Sequence, residues 1–409
     1  MKRLSAIATE NGTKARAAEP KPVLNDIRPD NAVHLRNLTL LVCIVCGAGR
    51  RKHCKGFACW RLKFRSKDHP MPSELSVSII VPTLNEEKYI GRAIRSLIAG
   101  CEHLDYELIV LDGGSMDRTS AIVSEMAALN SRIRLQPNPA RYQSAAVNSG
   151  ARIAKPDSSV LVRADAHAEY PPGFVDGLAR ELRERDVASV VVPLFTRGIS
   201  FLQRGVAMAQ NSRLGNGGSP HRSASRSRFV EHGHHACFDR KAFLAVGGYD
   251  EDFTHNEDAE LDVRLRNSGA KIWLCSELGI VYFPRASFAG LAKQYFNFGS
   301  GRARTMLKHR RLPKLRQVLP LGALGLNVVS LASGLGLGWP FLLPGLAYVG
   351  ACLTGGLWLA LSGRDPAGCA AGPAAIVMHQ SWAAGFVYRT LRFSTFKASR
   401  LPASAEAVR

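Results

Sequence analysis

Asp165-Ala-His167 sets a carboxylate and an imidazole two residues apart, directly after the strand-forming run Ser159–Val162. Pro171 and Pro172 then forbid that strand from continuing. In an open α/β sheet the carboxyl ends of strands are where ligands bind, and oxygen and nitrogen ligands at i and i+2 can reach one divalent cation. A cation there, Mg²⁺ or Mn²⁺, would grip a diphosphate. The competing reading makes Asp165 a turn cap before Pro171 and His167 a surface residue.

Other acid-bearing stretches lean toward chemistry. Val77–Val81 is a buried-type strand that runs into Pro82-Thr83-Leu-Asn-Glu86, and Tyr106–Leu111 repeats the pattern into Asp112-Gly-Gly-Ser-Met-Asp117. The two glycines of the second turn permit close backbone approach to a ligand. Asn256-Glu257-Asp258-Ala-Glu260 crowds acids at a predicted helix start. The helix dipole accounts for two of them, but like charges this close raise one another's pKa unless chemistry or a cation uses them. Glu231-His-Gly-His234-His235 has three readings: pocket wall, surface, or a second metal site.

The elements that must hold these residues alternate strand and helix. Ile90, Ala93, Ile94, Leu97 and Ile98 recur at helical spacing after the first strand. A helix opened by Asp117 or Thr119 runs to about Leu129, a third strand covers Ile133–Leu135, and an alanine-rich helical pattern fills Arg141–Ala154. This order predicts an α/β fold with a doubly wound, mostly parallel sheet and Glu86, Asp112 and Asp165 on one edge. Arg213–Arg228, rich in Gly, Ser and Arg, is expected to be a mobile loop.

The chain carries 54 Lys and Arg against 33 Asp and Glu, a formal net charge of +21 over 409 residues. That charge is spread along the chain and gathered beside apolar segments, without helix-turn-helix or zinc-finger spacing, so the expected reading is a basic, GC-rich type of proteome or a patch facing anionic lipid, and not nucleic-acid binding. Nine cysteines, several inside apolar runs, argue against a disulfide framework. Cys43 and Cys46 fall within the apolar run Leu38–Ala48, which disfavours zinc.

Residues 1–74 are basic and read as a disordered extension; Met71 precedes the first convincing strand and offers an alternative start. A catalytic domain is expected over 75–309 and a membrane-associated region over 310–400, followed by a tail over 401–409. Val318–Gly363 holds no charged residue and is long enough for two spans of about 20 residues, placed at about 318–338 and 341–362. Basic residues at both flanks predict a transmembrane hairpin with both ends cytoplasmic. Ala367–Tyr388, with Pro373, His379 and Gln380, is expected to lie at the interface.

Taken in order, these strings resemble the GT-A fold, family 2 inverting glycosyltransferases over about Ser76–Thr305. Arg163-x-Asp-Ala-His167, Asn256-Glu-Asp-x-Glu-Leu261 and Gln294-Tyr-Phe-x-Phe-Gly-x-Gly-Arg302-Ala-Arg304 are similar to the succinoglycan-type enzymes of exopolysaccharide assembly. The resemblance implies a nucleotide-sugar donor, with UDP as the expected nucleotide, and a lipid-linked, polyprenyl diphosphate saccharide as acceptor. It implies donor contacts from Pro82, Thr83, Glu86, Asp112, Asp117, Arg163, Gln294, Arg302 and Arg304, and a metal at Asp165 and His167, where the usual motif is Asp-x-Asp. Asp258 would be the general base and Glu257 would orient the acceptor. Gln294-Tyr-Phe-Asn297-Phe298 stands where processive synthases carry Gln-x-x-Arg-Trp, which points away from polymerisation. The inner membrane, with the catalytic domain cytoplasmic, follows as the expected location. A polyprenyl-phosphate or lipid glycosyltransferase is the enzymatic alternative; a catalytically silent membrane scaffold is the other.

Overall fold

The computed structural model describes residues 75–218 and 226–398; Cys43, Cys46, the run Leu38–Ala48 and Met71 lie outside the described residues. The chain opens with β1 (Ser76–Thr83), α1 (Ile90–Ile98), β2 (Asp105–Asp112), α2 (Thr119–Leu129), β3 (Ile133–Pro137), α3 (Gln143–Ile153), β4 (Val160–Arg163) and α4 (Phe174–Glu184). β5 (Ser189–Val192), β6 (Leu194–Thr196), α5 (Phe201–Asn211), α6 (Arg213–Asn216), β7 (Arg228–Phe229), β8 (His234–Asp239) and α7 (Arg240–Ala245) follow. Then come α8 (Glu257–Asn267), β9 (Ile272–Leu274), β10 (Ile280–Tyr282) and α9 (Phe288–His309). Three long helices close the chain: α10 (Leu315–Leu337), α11 (Leu343–Gly363) and α12 (Ala371–Ala398).

Eight strands form one sheet in the order β3-β2-β1-β4-β8-β5-β9-β7. The β3-β2-β1-β4 half is wholly parallel, as βαβ alternation requires. β8 enters antiparallel between β4 and β5, and β7 pairs antiparallel with β9, a mixed edge that strand–helix counting did not foresee. β6 and β10 form a separate parallel pair.

Alternation along the strands feeds two cores. Ile79, Val81, Leu108 and Val110 pack on one face against Ile90, Ile94 and Leu97 of α1 and Phe174 and Leu178 of α4. Ile80, Ile109 and Leu161 pack on the other against Ala146 and Val147 of α3, Phe243 of α7 and Leu261 and Leu265 of α8. Helices on both faces leave the strand ends as the open edge. Thr83 pairs with Asp112 across β1 and β2, and Ile80 with Arg163 across β1 and β4, so the turns bearing Glu86, Asp112 and Asp165 share that edge.

The segment expected to be a mobile loop begins as a helix, because α6 packs its Leu214 against α11 at Gly355 and lends its Leu214 carbonyl to His379 of α12. Ala367–Tyr388 belongs chiefly to α12, which runs along α9. A Cβ at Gly299 would fall 1.8 Å from the Trp382 carbonyl oxygen, so glycine there permits the close approach of the two helices. α10 and α11 are apolar and expose Leu319, Leu335, Trp358 and Leu361, surface that water would penalise.

Candidate active site

A cavity of about 830 Å³ opens at the sheet edge, and Arg163, Asp165, His234, Glu257 and Asp258 stand in its wall. Arg163, the last residue of β4, has its side chain only 5% exposed, which leaves its charge dependent on nearby carboxylates. Its Nη1 donates to Asp258 Oδ1 at 2.5 Å and to the Tyr249 hydroxyl at 3.2 Å. Its Nη2 lies 3.5 Å from Asp165 Oδ1 and 3.9 Å from Glu257 Oε1. One guanidinium thus binds three acids from two distant segments.

Tyr249 donates its hydroxyl to Asp258 Oδ1 at 2.8 Å, and burial together with the Asp258 charge keeps the phenol protonated. Its position comes from the turn before it. Gly248 adopts φ +68°, and a Cβ there would meet Asn148 Oδ1 at 2.3 Å. The Tyr249 amide instead donates to that oxygen at 2.7 Å. Asn256 sits at φ 60° ahead of α8 and donates from Nδ2 to the Phe298 carbonyl at 2.6 Å, fixing the acid-bearing helix start to α9.

Asp165 accepts from Gln143 Nε2 at 2.9 Å through Oδ1, and the Tyr170 hydroxyl clamps its backbone. Burial alone would raise its carboxyl, but the Arg163 guanidinium and His234 outweigh that and hold it well below the usual range. His234 stands between the two acids: Nε2 is 3.7 Å from Asp165 Oδ2 and Nδ1 is 3.7 Å from Asp258 Oδ2. Burial and the Asp258 charge hold Glu257 above its ordinary value, against the pull of Arg163.

The sequence-derived residues divide. His167 turns to Glu86, 3.1 Å from Nδ1, and this contact raises its imidazole pKa; the imidazole paired with Asp165's outer oxygen is His234. His232, Gly233 and His234 do line the cavity, so the histidine cluster is pocket wall there. Pro82, Thr83, Glu86, Asp112 and Asp117 gather at the neighbouring turns, outside the cavity wall. Asp112 accepts from Ser115 and Ser120, Asp117 from the Glu87 amide, and Asn85 Oδ1 from the Met116 amide. Gln294 lines the cavity and donates to the Tyr282 hydroxyl at 2.7 Å, and Arg302 lines it too. Arg304 does not. Two residues along a helix swing a side chain about 200° round, and Arg304 donates to the Asp252 carbonyl and lies over Phe253. Gln143 and Tyr249 escaped notice in the sequence; His234 was legible there within the histidine cluster, with pocket wall among its readings, but its pairing with Asp165 was not.

Among the described residues no group of three or more His, Cys, Asp or Glu forms a ready cation site. Asp165 with His234 offers an open oxygen and nitrogen pair, a donor set that fits a Mn²⁺- or Mg²⁺-type ion completing its shell with phosphate oxygens and water.

A mostly parallel sheet with acids at its carboxyl edge, around a buried arginine, is an architecture shared with enzymes of GT-A type, and similarity to known proteins supplies the family. Residues 78–247 match the model for "Glycosyl transferase family 2". The chain is 43% identical to the succinoglycan biosynthesis protein ExoA of Rhizobium meliloti (strain 1021), over 77% of this chain and 95% of that one. The chain belongs to glycosyltransferase family 2. It is also 24% identical to a Methanococcus voltae enzyme named dolichyl N-acetyl-alpha-D-glucosaminyl phosphate 3-beta-D-2,3-diacetamido-2,3-dideoxy-beta-D-glucuronosyltransferase, over 63% of this chain and 82% of the relative. The fold resembles the mannosyltransferase PcManGT of Pyrobaculum calidifontis, solved with GDP-Man and Mn2+, with a TM-score of 0.53 and 18% identity, covering 82% of this chain and 92% of that one.

Proposed function

We propose that the chain is a membrane-attached inverting glycosyltransferase. It moves a sugar from a nucleotide-diphospho-sugar, with UDP as the nucleotide, to a saccharide carried on a polyprenyl diphosphate during exopolysaccharide synthesis. The observation that carries this reading is the pair Asp165 and Asp258, set on either side of His234 in one cavity that continues to the foot of the apolar helices. The name of the Rhizobium relative supports the exopolysaccharide assignment.

Asp258 acts as the base. Arg163 and Tyr249 donate to its Oδ1, and its Oδ2, 3.7 Å from His234 Nδ1, takes the proton of an acceptor hydroxyl. As that proton moves to Asp258, the acceptor oxygen bonds to the anomeric carbon from the face opposite the diphosphate. The bond from that carbon to the diphosphate oxygen breaks, and the configuration inverts. A divalent cation held by Asp165, with His234 beside it, would supply charge to neutralise the departing diphosphate. Glu257 orients the acceptor, and Gln294 borders the donor sugar.

α10 and α11 form the membrane hairpin in the inner membrane, with the catalytic domain cytoplasmic. Asp365, just past the hairpin, pairs with Arg204 of α5, which supports a return to the catalytic side. The name of the Methanococcus relative describes a sugar on dolichyl phosphate as acceptor and so also supports a lipid-linked saccharide. The name of a relative from Pseudomonas fluorescens (strain Pf0-1), undecaprenyl-phosphate 4-deoxy-4-formamido-L-arabinose transferase, 31% identical over 26% of this chain, favours one second reading, a simple lipid phosphate as acceptor. Purified protein incubated with UDP-sugars, Mn²⁺ and host lipid extract tests both by mass spectrometry. Addition of a sugar to a lipid-linked saccharide supports the proposal, addition to bare polyprenyl phosphate supports the alternative, and no addition with any donor overturns both.

A further inference from the structure

Arg213, Arg302 and Arg316 line the same cavity, and among the described residues none has a carboxylate within ion-pair distance. This contrasts with Arg163, which is surrounded by acids. The acid whose charge is felt at Arg302 is Asp262, and its Oδ2 is already engaged by His232 Nδ1 at 2.6 Å and by the Gly233 amide. Burial and the charge of Arg316 pull the Arg302 guanidinium down to about 10, the condition of a cation beside another cation. Gly217, at the end of α6, lies against Arg316 Cβ, which brings the helix of Arg213 to the foot of α10.

The wall beyond these arginines changes character. Leu319, Pro320 and Ala323 of α10, Tyr348 of α11, and Met378 and Trp382 of α12 continue the cavity between the apolar helices. A ligand matched to both parts has a doubly or triply charged head and a hydrocarbon tail. Guanidinium forks suit phosphate oxygens.

We propose that Arg213, Arg302 and Arg316 form the subsite for the diphosphate of the polyprenyl-linked acceptor, whose hydrocarbon chain leaves between α10, α11 and α12. The assignment rests on the proposed function and deepens it. The cavity then holds two diphosphates at opposite ends, the donor's near Asp165 and the acceptor's near Arg316, and Arg302 serves the acceptor instead of the donor.

The test uses the full chain in detergent micelles, with farnesyl diphosphate, farnesol and inorganic pyrophosphate as probes and titration calorimetry as the readout. Farnesyl diphosphate is expected to bind at least about tenfold more tightly than either partial ligand. Arg316→Gln and Arg302→Gln should each weaken it about tenfold, with Arg316→Lys recovering part of the loss. The KM for the lipid acceptor should rise by a similar factor, while affinity for the UDP-sugar moves far less. If Arg302→Gln does not fold, Arg213→Gln and Arg316→Gln, at more accessible positions, carry the same comparison. Equal binding of farnesol or pyrophosphate, or a loss falling on the UDP-sugar, overturns the subsite. Absence of UDP-sugar binding by the unaltered chain would instead overturn the donor reading beneath it.

Discussion

Arg163 Nη1 lies 2.5 Å from Asp258 Oδ1, so the end of β4 and the first turn of α8 are joined by a buried ion pair. The same guanidinium faces Asp165 and Glu257, and the acids on both sides of the proposed reaction take their positions from one cation. Arg163→Gln leaves buried carboxylates without a counter-charge, a change that costs about 3–5 kcal/mol. The expected outcome is a clear drop in Tm together with loss of transfer. An unchanged melting curve would show that the carboxylates do not depend on Arg163.

The metal assignment separates two histidines. Asp165→Ala and His234→Ala should both weaken Mn²⁺ binding, read by titration calorimetry, whereas His167→Ala should have a small effect because that ring is turned to Glu86. Asp165→Ala should also abolish turnover, and chelator should suppress it. A larger loss from His167→Ala than from His234→Ala would instead support Asp165 with His167, which also lines the cavity, as the metal pair.

Glu260 anchors α8 to α9. It is fully buried and accepts from Arg264, Lys308 and His309. Burial would raise its carboxyl, but these partners outweigh it and bring the pKa from 4.5 to about 2. A folded-state pKa below the unfolded value adds stability above the unfolded pKa, and that stability is lost as pH falls through the folded one. Unfolding free energy should therefore decline between about pH 4.5 and pH 2. Glu260→Gln should flatten that part of the profile; a profile identical to the parent's would remove Glu260 as the cause.

Membrane topology gives an independent check. Reporters fused after Arg364 and after Arg400 should both report cytoplasm, and one placed at Gly338 between α10 and α11 should report the opposite side. A periplasmic reporter after Arg400 would refute the hairpin.

Local order made much of this molecule legible in its sequence. Pro82, Asp112 and Asp165 each follow a run of buried-type strand residues, and helices between such runs force parallel neighbours, so the acidic edge is legible in the order of the chain. Glu257 and Asp258 stood out because three acids, Glu260 the third, crowd one helix start. What escaped was built by distant segments. β8 slips antiparallel between β4 and β5 and carries His234 to Asp165, a pairing 69 positions apart that no local pattern encodes. Arg163 read as a strand residue near a motif, because the three acids that gather on it arrive from two separate segments. Arg302 and Arg304 looked equivalent on paper until the helix phase put one in the cavity and the other over Phe253.

The proposed chemistry turns on Asp258 taking the acceptor's proton. Asp258→Asn keeps the shape and can still hydrogen-bond Arg163's neighbour Tyr249, so the measurement is sugar transfer by that variant in detergent, with UDP-sugar binding followed in parallel. UDP-sugar affinity should stay close to the parent's while transfer slows by about 10² to 10⁴-fold. Transfer at a near-parental rate would contradict it and leave Glu257, whose raised pKa makes it the stronger proton acceptor, as the residue to examine.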